Sequence, residues 1–399
     1  MLRSIRKPNA SVSRVRCSSS FGPLTSAPRD GRDPGQLVET VEGGPPGPGT
    51  PDLRPAISSR PWRRVVQPAR ILAIRLQAMG DIVITLPYLR ALKSTLPDTA
   101  IDFVTRHEDG EIPEAIRLFQ HVDRLGGGRS ERRQLLMVPM LVPRLRARGY
   151  DVVLDLQDNR VSRAMRRAVA PRAWAGFDRQ SPISAGERTR RTIEAAGFPL
   201  PQVEAALPLG DPSLGLDVLR EARWDASREL IVLSPGGAFA SRNWPVERYA
   251  RFAELWQERR TAQFAIMGLE SLRGTAAAVQ AALGGHLLNL VGRTTPSQAL
   301  AIVQRAALVL TEDCGLMHMA WVSGVPTVAL FGSSRHEWSA PRGDHTVCLH
   351  SGDLECGACM EPTCRYGDVH CLTRYTADYV VERALALMAR ASTLLFKAI

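Results

Sequence analysis

Short apolar runs recur along the chain from residue 71, and most are followed by a stretch with apolar residues at helical spacing. Ile71–Leu76, Ile101–Val104, Tyr150–Leu156 and Ala173–Phe177 read as strands, and His121–Leu125 is a further candidate. Helical patterns lie between them. Residues 82–92 form one, ended by Pro97-Asp98. Residues 131–148 form another, which Pro139 and Pro143 should break or bend. The pattern weakens around Pro199–Pro201 and Asp211-Pro212. It restarts at Leu230–Ser234 and continues through Phe264–Met267, Leu287–Leu290, Leu308–Leu310 and Thr327–Phe331. Strands alternating with helices predict parallel sheets, here in two doubly wound α/β domains over residues 69–214 and 215–375. Residues 376–399 carry the apolar stripe of a terminal helix.

Composition adds an amino-terminal extension. Residues 1–68 hold 11 of the 28 prolines and a Gly43–Gly49 low-complexity tract, so disorder is expected there. Eleven cationic against five acidic residues in this segment account for about half of the net charge of +11. The remainder is mildly basic, which suits phosphorylated substrates or anionic membranes. No interleaving of aromatic and basic residues points to nucleic acid, and none is expected as a partner. No apolar run approaches the roughly 18–20 residues of a membrane-crossing helix. The Arg/Ser-rich start has the composition of a transit peptide, but Pro and Gly soon dominate and no secretory apolar stretch is present. Seven cysteines in 399 residues do not make a disulfide scaffold, so a cytoplasmic location is expected.

Four loops carry candidate chemistry. Gly80-Asp81 joins a strand to a helix. Asp81 is either a plain N-cap or a carboxylate able to take a proton from a hydroxyl. Ser234-Pro-Gly236-Gly237 leads to Arg242 and Trp244-Pro245. It is either a simple βα turn or a diphosphate pocket of backbone N–H groups and a guanidinium. It is neither a Walker A nor a Gly-x-Gly-x-x-Gly motif. Asp313-Cys314-Gly315 and His318 follow the strand at 308–310, at the strand end where parallel sheets bind ligands; a cap and a core histidine are the alternatives. Cys356, Cys359, Cys364 and Cys371, beside His370, could form a tetrahedral zinc site. Their irregular spacing fits a reduced structural loop or a redox-labile pair as well.

The ordered set of motifs resembles glycosyltransferase family 9, the ADP-heptose:lipopolysaccharide heptosyltransferases, over about residues 69–390. The matching stretches are Ile71–Asp81 with Thr85–Leu92, Val153-Leu-Asp-Leu-Gln157, Ala175-Gly-Phe177, and Pro235-Gly with Arg242-x-Trp-Pro245. Asp313-x-Gly-x-x-His318 followed by Gly324–Gly332 completes the set. The resemblance implies a GT-B fold: an acceptor-binding amino domain and a nucleotide-sugar-binding carboxyl domain face a cleft, and the last helix crosses back to the amino domain. It implies an inverting transfer without a cofactor, of a sugar such as heptose from ADP-heptose to a lipid-linked, lipopolysaccharide-type acceptor at the inner membrane face. Asp81 would be the general base. Gly80, Ser234, Gly236, Gly237, Arg242, Asp313, Cys314, Gly315 and His318 would form the donor site, with Arg242 in place of a usual lysine. The chain departs from the family pattern at Ser234-Pro-Gly-Gly, Glu312-Asp-Cys-Gly, Asp158–Arg160 and Ser333-Ser334. Those departures leave open a nucleotide-sugar-binding protein without activity. A dinucleotide oxidoreductase would need a Gly-x-Gly-x-x-Gly turn that neither domain has.

Overall fold

The computed structural model describes residues 57–397, without 238, 285 and 286. Six strands form the first sheet: β1 (Ser59–Arg60), β2 (Arg70–Ile74), β3 (Ala100–Arg106), β4 (Val122–Leu125), β5 (Val152–Asp155) and β6 (Ala173–Gly176). Their order is β1-β6-β5-β2-β3-β4, parallel except for β1, which runs antiparallel to β6. The helices of this half are α1 (Met79–Thr95), α2 (Glu111–Ala115), α3 (Glu131–Arg148), α4 (Arg160–Val169) and α5 (Ala185–Ala195). The second sheet has β7 (Glu229–Ser234), β8 (Ala262–Ile266), β9 (Leu287–Asn289), β10 (Leu308–Glu312), β11 (Thr327–Phe331) and β12 (Thr346–His350). It is parallel throughout, in the order β12-β11-β10-β7-β8-β9. Its helices are α6 (Leu216–Glu221), α7 (Val246–Gln257), α8 (Arg273–Leu283), α9 (Pro296–Val303), α10 (Gly315–Val322), α11 (His336–Ser339), α12 (His370–Thr373) and α13 (Ala377–Lys397).

Three features depart from the sequence reading. The segment expected to be disordered, residues 1–68, lies outside the described residues except for 57–68, and those are structured. Ile57 and Trp62 pack on the first core, and the Trp62 N–H donates to the Ala196 carbonyl at 2.8 Å. Helix α3 runs unbroken through Pro139 and Pro143. Both prolines sit on its exposed face, where water can satisfy the carbonyls that lose a partner. Helix α13 packs on α7, β11 and β12 of its own half rather than crossing to the first. It buries Val380, Val381, Ala384 and Leu387 there. An apolar stripe specifies a helix with one buried face, but not which surface covers it.

Each sheet reverses its strand order once, between β2 and β5 and between β7 and β10. Ligands of open α/β sheets bind at such switch points, beyond the carboxyl ends of the strands. The two switch points are joined by α1 against α10. Val83, Ile84 and Leu86 of α1 share one apolar core with Met319, Ala320 and Val322 of α10. The approach is so close that a Cβ at Gly80 would lie 2.6 Å from Cδ2 of His318. Only glycine fits at that position.

Two buried carboxylates brace the sheets. Asp102, fully buried on β3, accepts the Tyr150 hydroxyl at 2.6 Å, Nη1 of Arg70 at 3.3 Å and the His121 N–H at 3.2 Å. Glu312, fully buried at the end of β10, accepts the Gly237 N–H at 2.8 Å, the Trp244 N–H at 2.5 Å and the Tyr249 hydroxyl at 3.1 Å. Glu312 thereby pins both ends of the loop between β7 and α7. Burial pushes its carboxyl up to about 8, against the opposing pull of the three donors.

Asp102→Ala leaves the buried Tyr150 hydroxyl and the Arg70 and His121 donors without this acceptor, and should lower the unfolding free energy by about 3 kcal/mol in chemical denaturation. Glu312 gives a pH signature. Its ordinary value is 4.5, so between there and about 8 the native state holds a proton that the unfolded chain has lost. Its contribution to stability is full below that window and fades as pH rises through it. Melting temperatures measured across the window should therefore fall less steeply for Glu312→Gln than for the parent chain.

Candidate active site

The first wall of the cleft is the turn after β2. The N-cap of α1 is Ala78 rather than Asp81. Asp81 stands in the first helical turn, and its Oδ2 accepts the Ala78 N–H at 3.2 Å. Nη2 of Arg75 lies 2.9 Å from the same oxygen. Arg75 is buried, donates to the Leu156 carbonyl, and lies with its guanidinium 4.7 Å from the Phe177 ring centre. Gln157, beyond β5, accepts the N–H groups of Leu76 and Gln77 at 3.0 and 3.1 Å. The carboxylate is thus fixed on one side while its side chain keeps 39% of its surface exposed. Arg188 from α5 stacks on Phe177 at 5.1 Å. Burial and the nearby Arg75 push its pKa down, opposed by Asp81 and Asp178.

The second wall comes from the ends of β7, β10 and β11. Arg242, on the loop pinned by Glu312, pairs with Asp313 at 3.3 Å and lies 5.0 Å from the Phe239 ring centre. Its buried Nε has no hydrogen-bond partner. Gly315 opens α10 with nothing within 4 Å of a Cβ built on it, so the start of this helix faces open space. His318 is buried; its Nδ1 accepts the indole N–H of Trp321 at 3.2 Å, which leaves Nε2 to carry the ring proton. Burial lowers its pKa, against the pull of Asp313 and Asp81, so the ring is neutral near pH 7. Arg335, just past β11, lies over Trp338 and makes no ion pair among the described residues.

A cavity of about 230 Å³ lies between the walls and is lined by Asp81, Arg188, Arg242, Asp313, His318 and Arg335, among others. Four of these six were singled out from the sequence; Arg188 and Arg335 were not. Arg335 carried a signal, because it follows a strand at the ligand-binding edge of a parallel sheet. Arg188 lies within α5 and only the fold brings it near Asp81. Gly80 stands at the contact of α1 with α10. Gly236 and Gly237 allow tight packing: a Cβ there would lie 2.8 Å from Leu272 and 2.6 Å from Arg242.

Ser234 and Cys314 are placed differently. Ser234 is buried, and its Oγ lies 3.3 Å from Sγ of Cys314. That sulfur is also 3.4 Å from Oγ1 of Thr311 and packs beside Met317, Phe331 and Cys348. Burial pushes the Cys314 thiol up, so it is a neutral packing group. Cys356, Cys359, Cys364 and Cys371 are free thiols. Burial and then the nearby thiols of Cys364, Cys356 and Cys359 push Cys371 up to about 12. Among the described residues no group of three or more His, Cys, Asp or Glu is arranged to hold a metal.

A carboxylate facing several guanidinium groups and a helix N-terminus can accept a proton from a hydroxyl on one side and stabilise an anionic leaving group on the other. Known proteins place the chain in a family. The sequence profile of glycosyltransferase family 9 (heptosyltransferase) matches residues 139–370. The chain is 26% identical over 329 residues to lipopolysaccharide heptosyltransferase 1 of Pseudomonas aeruginosa, covering 74% of this chain and 88% of that protein. It is 24% identical over 367 residues to lipooligosaccharide heptosyltransferase 2 of Haemophilus ducreyi, covering 80% and 99%. A family 9 glycosyltransferase from Veillonella parvula superposes with a TM-score of 0.70 at 19% identity, over 80% of this chain and 97% of that one. ADP-heptose lipopolysaccharide heptosyltransferase II of E. coli does so with a TM-score of 0.65 at 19% identity, over 81% and 99%. The fold is GT-B, and the chain belongs to glycosyltransferase family 9, the heptosyltransferases.

Proposed function

We propose that this glycosyltransferase moves heptose from ADP-heptose to a lipopolysaccharide-type, lipid-linked acceptor with inversion at the anomeric carbon. The observation that carries this reading is the shared cavity, in which Asp81 faces Arg242, Asp313 and His318. Asp81 is the general base: it takes the proton of the acceptor hydroxyl as that oxygen attacks the anomeric carbon. The bond from that carbon to the diphosphate breaks, and the diphosphate leaves with the electron pair. Arg242, with its unpartnered Nε, and the N–H groups at the start of α10 receive the leaving charge. Neutral His318 offers an Nε2–H to a donor oxygen. Asp313 orients Arg242, Gly80 lets α1 approach the His318 ring, and Gly315 keeps the backbone open to the donor. Gly236 and Gly237 shape the loop beneath it. The amino half, residues 69–214, takes the acceptor and residues 215–375 take the donor. Curated relatives with heptosyltransferase names support the choice of sugar. So does the structure of an E. coli heptosyltransferase with ADP-2-deoxy-2-fluoro heptose, which is 18% identical.

No helix among the described residues is long and apolar enough to cross a membrane. Peripheral work at the inner membrane face, from the cytoplasm, is part of the same proposal.

Asp81→Asn should lower kcat by about 10²–10⁴-fold, the usual range for a lost general base. ADP should still raise its melting temperature as in the parent. Unchanged transfer would remove Asp81 from the role. Arg242→Gln should raise the donor KM by roughly 10–100-fold, as expected for a charge-assisted hydrogen bond worth about 1.5–3 kcal/mol. Steady-state kinetics with ADP-heptose measures both. If neither ADP nor ADP-heptose shifts the melting temperature of the parent, the donor assignment fails.

A further inference from the structure

Helices α3 and α4 pack side by side as the outer layer of the first half, on the face of the sheet away from α1. Their inner faces are ordinary core: Val138, Leu141 and Leu145 of α3, and Val161, Met165 and Val169 of α4. Their outer faces are not an ordinary solvated surface. Leu136 and Met140, one turn apart on α3, are 76% and 74% exposed, among the most exposed large apolar side chains described. Around them the charge has nearly one sign. Arg129, Arg132, Arg133, Arg146, Arg160 and Arg167 are all exposed and make no ion pair among the described residues. The one acidic residue of α3 is Glu131, and α4 has none.

We infer that the outer face of α3 and α4 is the surface by which this enzyme docks on an anionic lipid bilayer, Leu136 and Met140 entering the headgroup layer between unpaired arginines that meet lipid phosphates. The inference deepens the peripheral membrane contact proposed above. Exposed apolar side chains flanked by cations are what an interfacial helix presents to a bilayer, because burial of apolar area and attraction to anionic lipid act together. Each cation near such a surface contributes about 1 kcal/mol. A nucleic acid would satisfy the arginines but leave Leu136 and Met140 in water, and this face offers no exposed aromatic ring for base stacking. The placement also fits the chemistry. In a parallel sheet the helix that follows a strand starts at the strand's carboxyl end. The amino ends of α3 and α4, with Arg129, Arg132 and Arg160, therefore lie at the sheet edge that carries Asp81. A bilayer against this face lies beside the mouth through which a lipid-linked acceptor would reach the base.

The test is flotation of the full chain with phosphatidylcholine vesicles, with and without phosphatidylglycerol. Two variants are compared with the parent: Arg132→Glu with Arg133→Glu, and Leu136→Ser with Met140→Ser. All four positions are exposed, so melting temperatures should match the parent. The parent should bind the anionic vesicles in preference to the neutral ones, and less so in high salt. Each double variant should bind roughly tenfold or more weakly. Transfer to a short, lipid-free acceptor should be unchanged in both. Equal or absent binding of the parent to the two vesicle types would overturn the inference, as would variants that bind like the parent. Preference for an oligonucleotide or an acidic polypeptide over anionic vesicles would reassign the face and also overturn it. The vesicles contain no glycan acceptor, so the result is independent of whether the proposed donor and acceptor are right.

Discussion

The contact between α1 and α10 governs the site. One helix leaves the switch point of the first sheet and the other leaves the switch point of the second. They meet where Gly80 lies against the His318 ring, and behind that point Val83, Ile84 and Leu86 merge with the apolar core of the second half. A missing side chain permits the approach, and burial of apolar surface holds it. Because Asp81 is one residue from Gly80 and Asp313 is five residues before His318, the same packing brings the carboxylate and the cationic wall to one cavity.

Around that contact the charged groups are mutually braced. Arg75 holds Asp81 from behind and is itself tied to the Leu156 carbonyl. Asp313 holds Arg242, and the loop bearing Arg242 hangs from the buried Glu312. A buried carboxylate is expensive to desolvate, and two backbone N–H groups and a tyrosine hydroxyl compensate it here. Glu312 is long enough for one carboxyl group to reach both ends of the loop between β7 and α7.

The strands and most helices were legible because apolar runs of β-branched residues alternate with helical spacing throughout. The edge strands β1 and β12 were not read, since two residues, or a run broken by Cys348 and His350, carry little periodic signal. Asp81, Arg242, Asp313 and His318 were legible because they follow strands at positions where parallel sheets bind ligands. Cys314 was read as part of the same edge. Its place in sequence was right, but the direction of its side chain was not available there, and the thiol turns back between Ser234 and Thr311.

The sequence by itself determined two doubly wound sheets and the four loops that carry candidate residues. These depend on local periodicity and on rules that act within a few residues of a strand end. Only the tertiary structure decided which loops share a cavity, that Arg188 and Arg335 join it, that α13 stays with its own half, and that Leu136 and Met140 face outward among arginines. Those outcomes depend on which buried faces find each other, and that is set by side-chain fit between segments far apart in the chain.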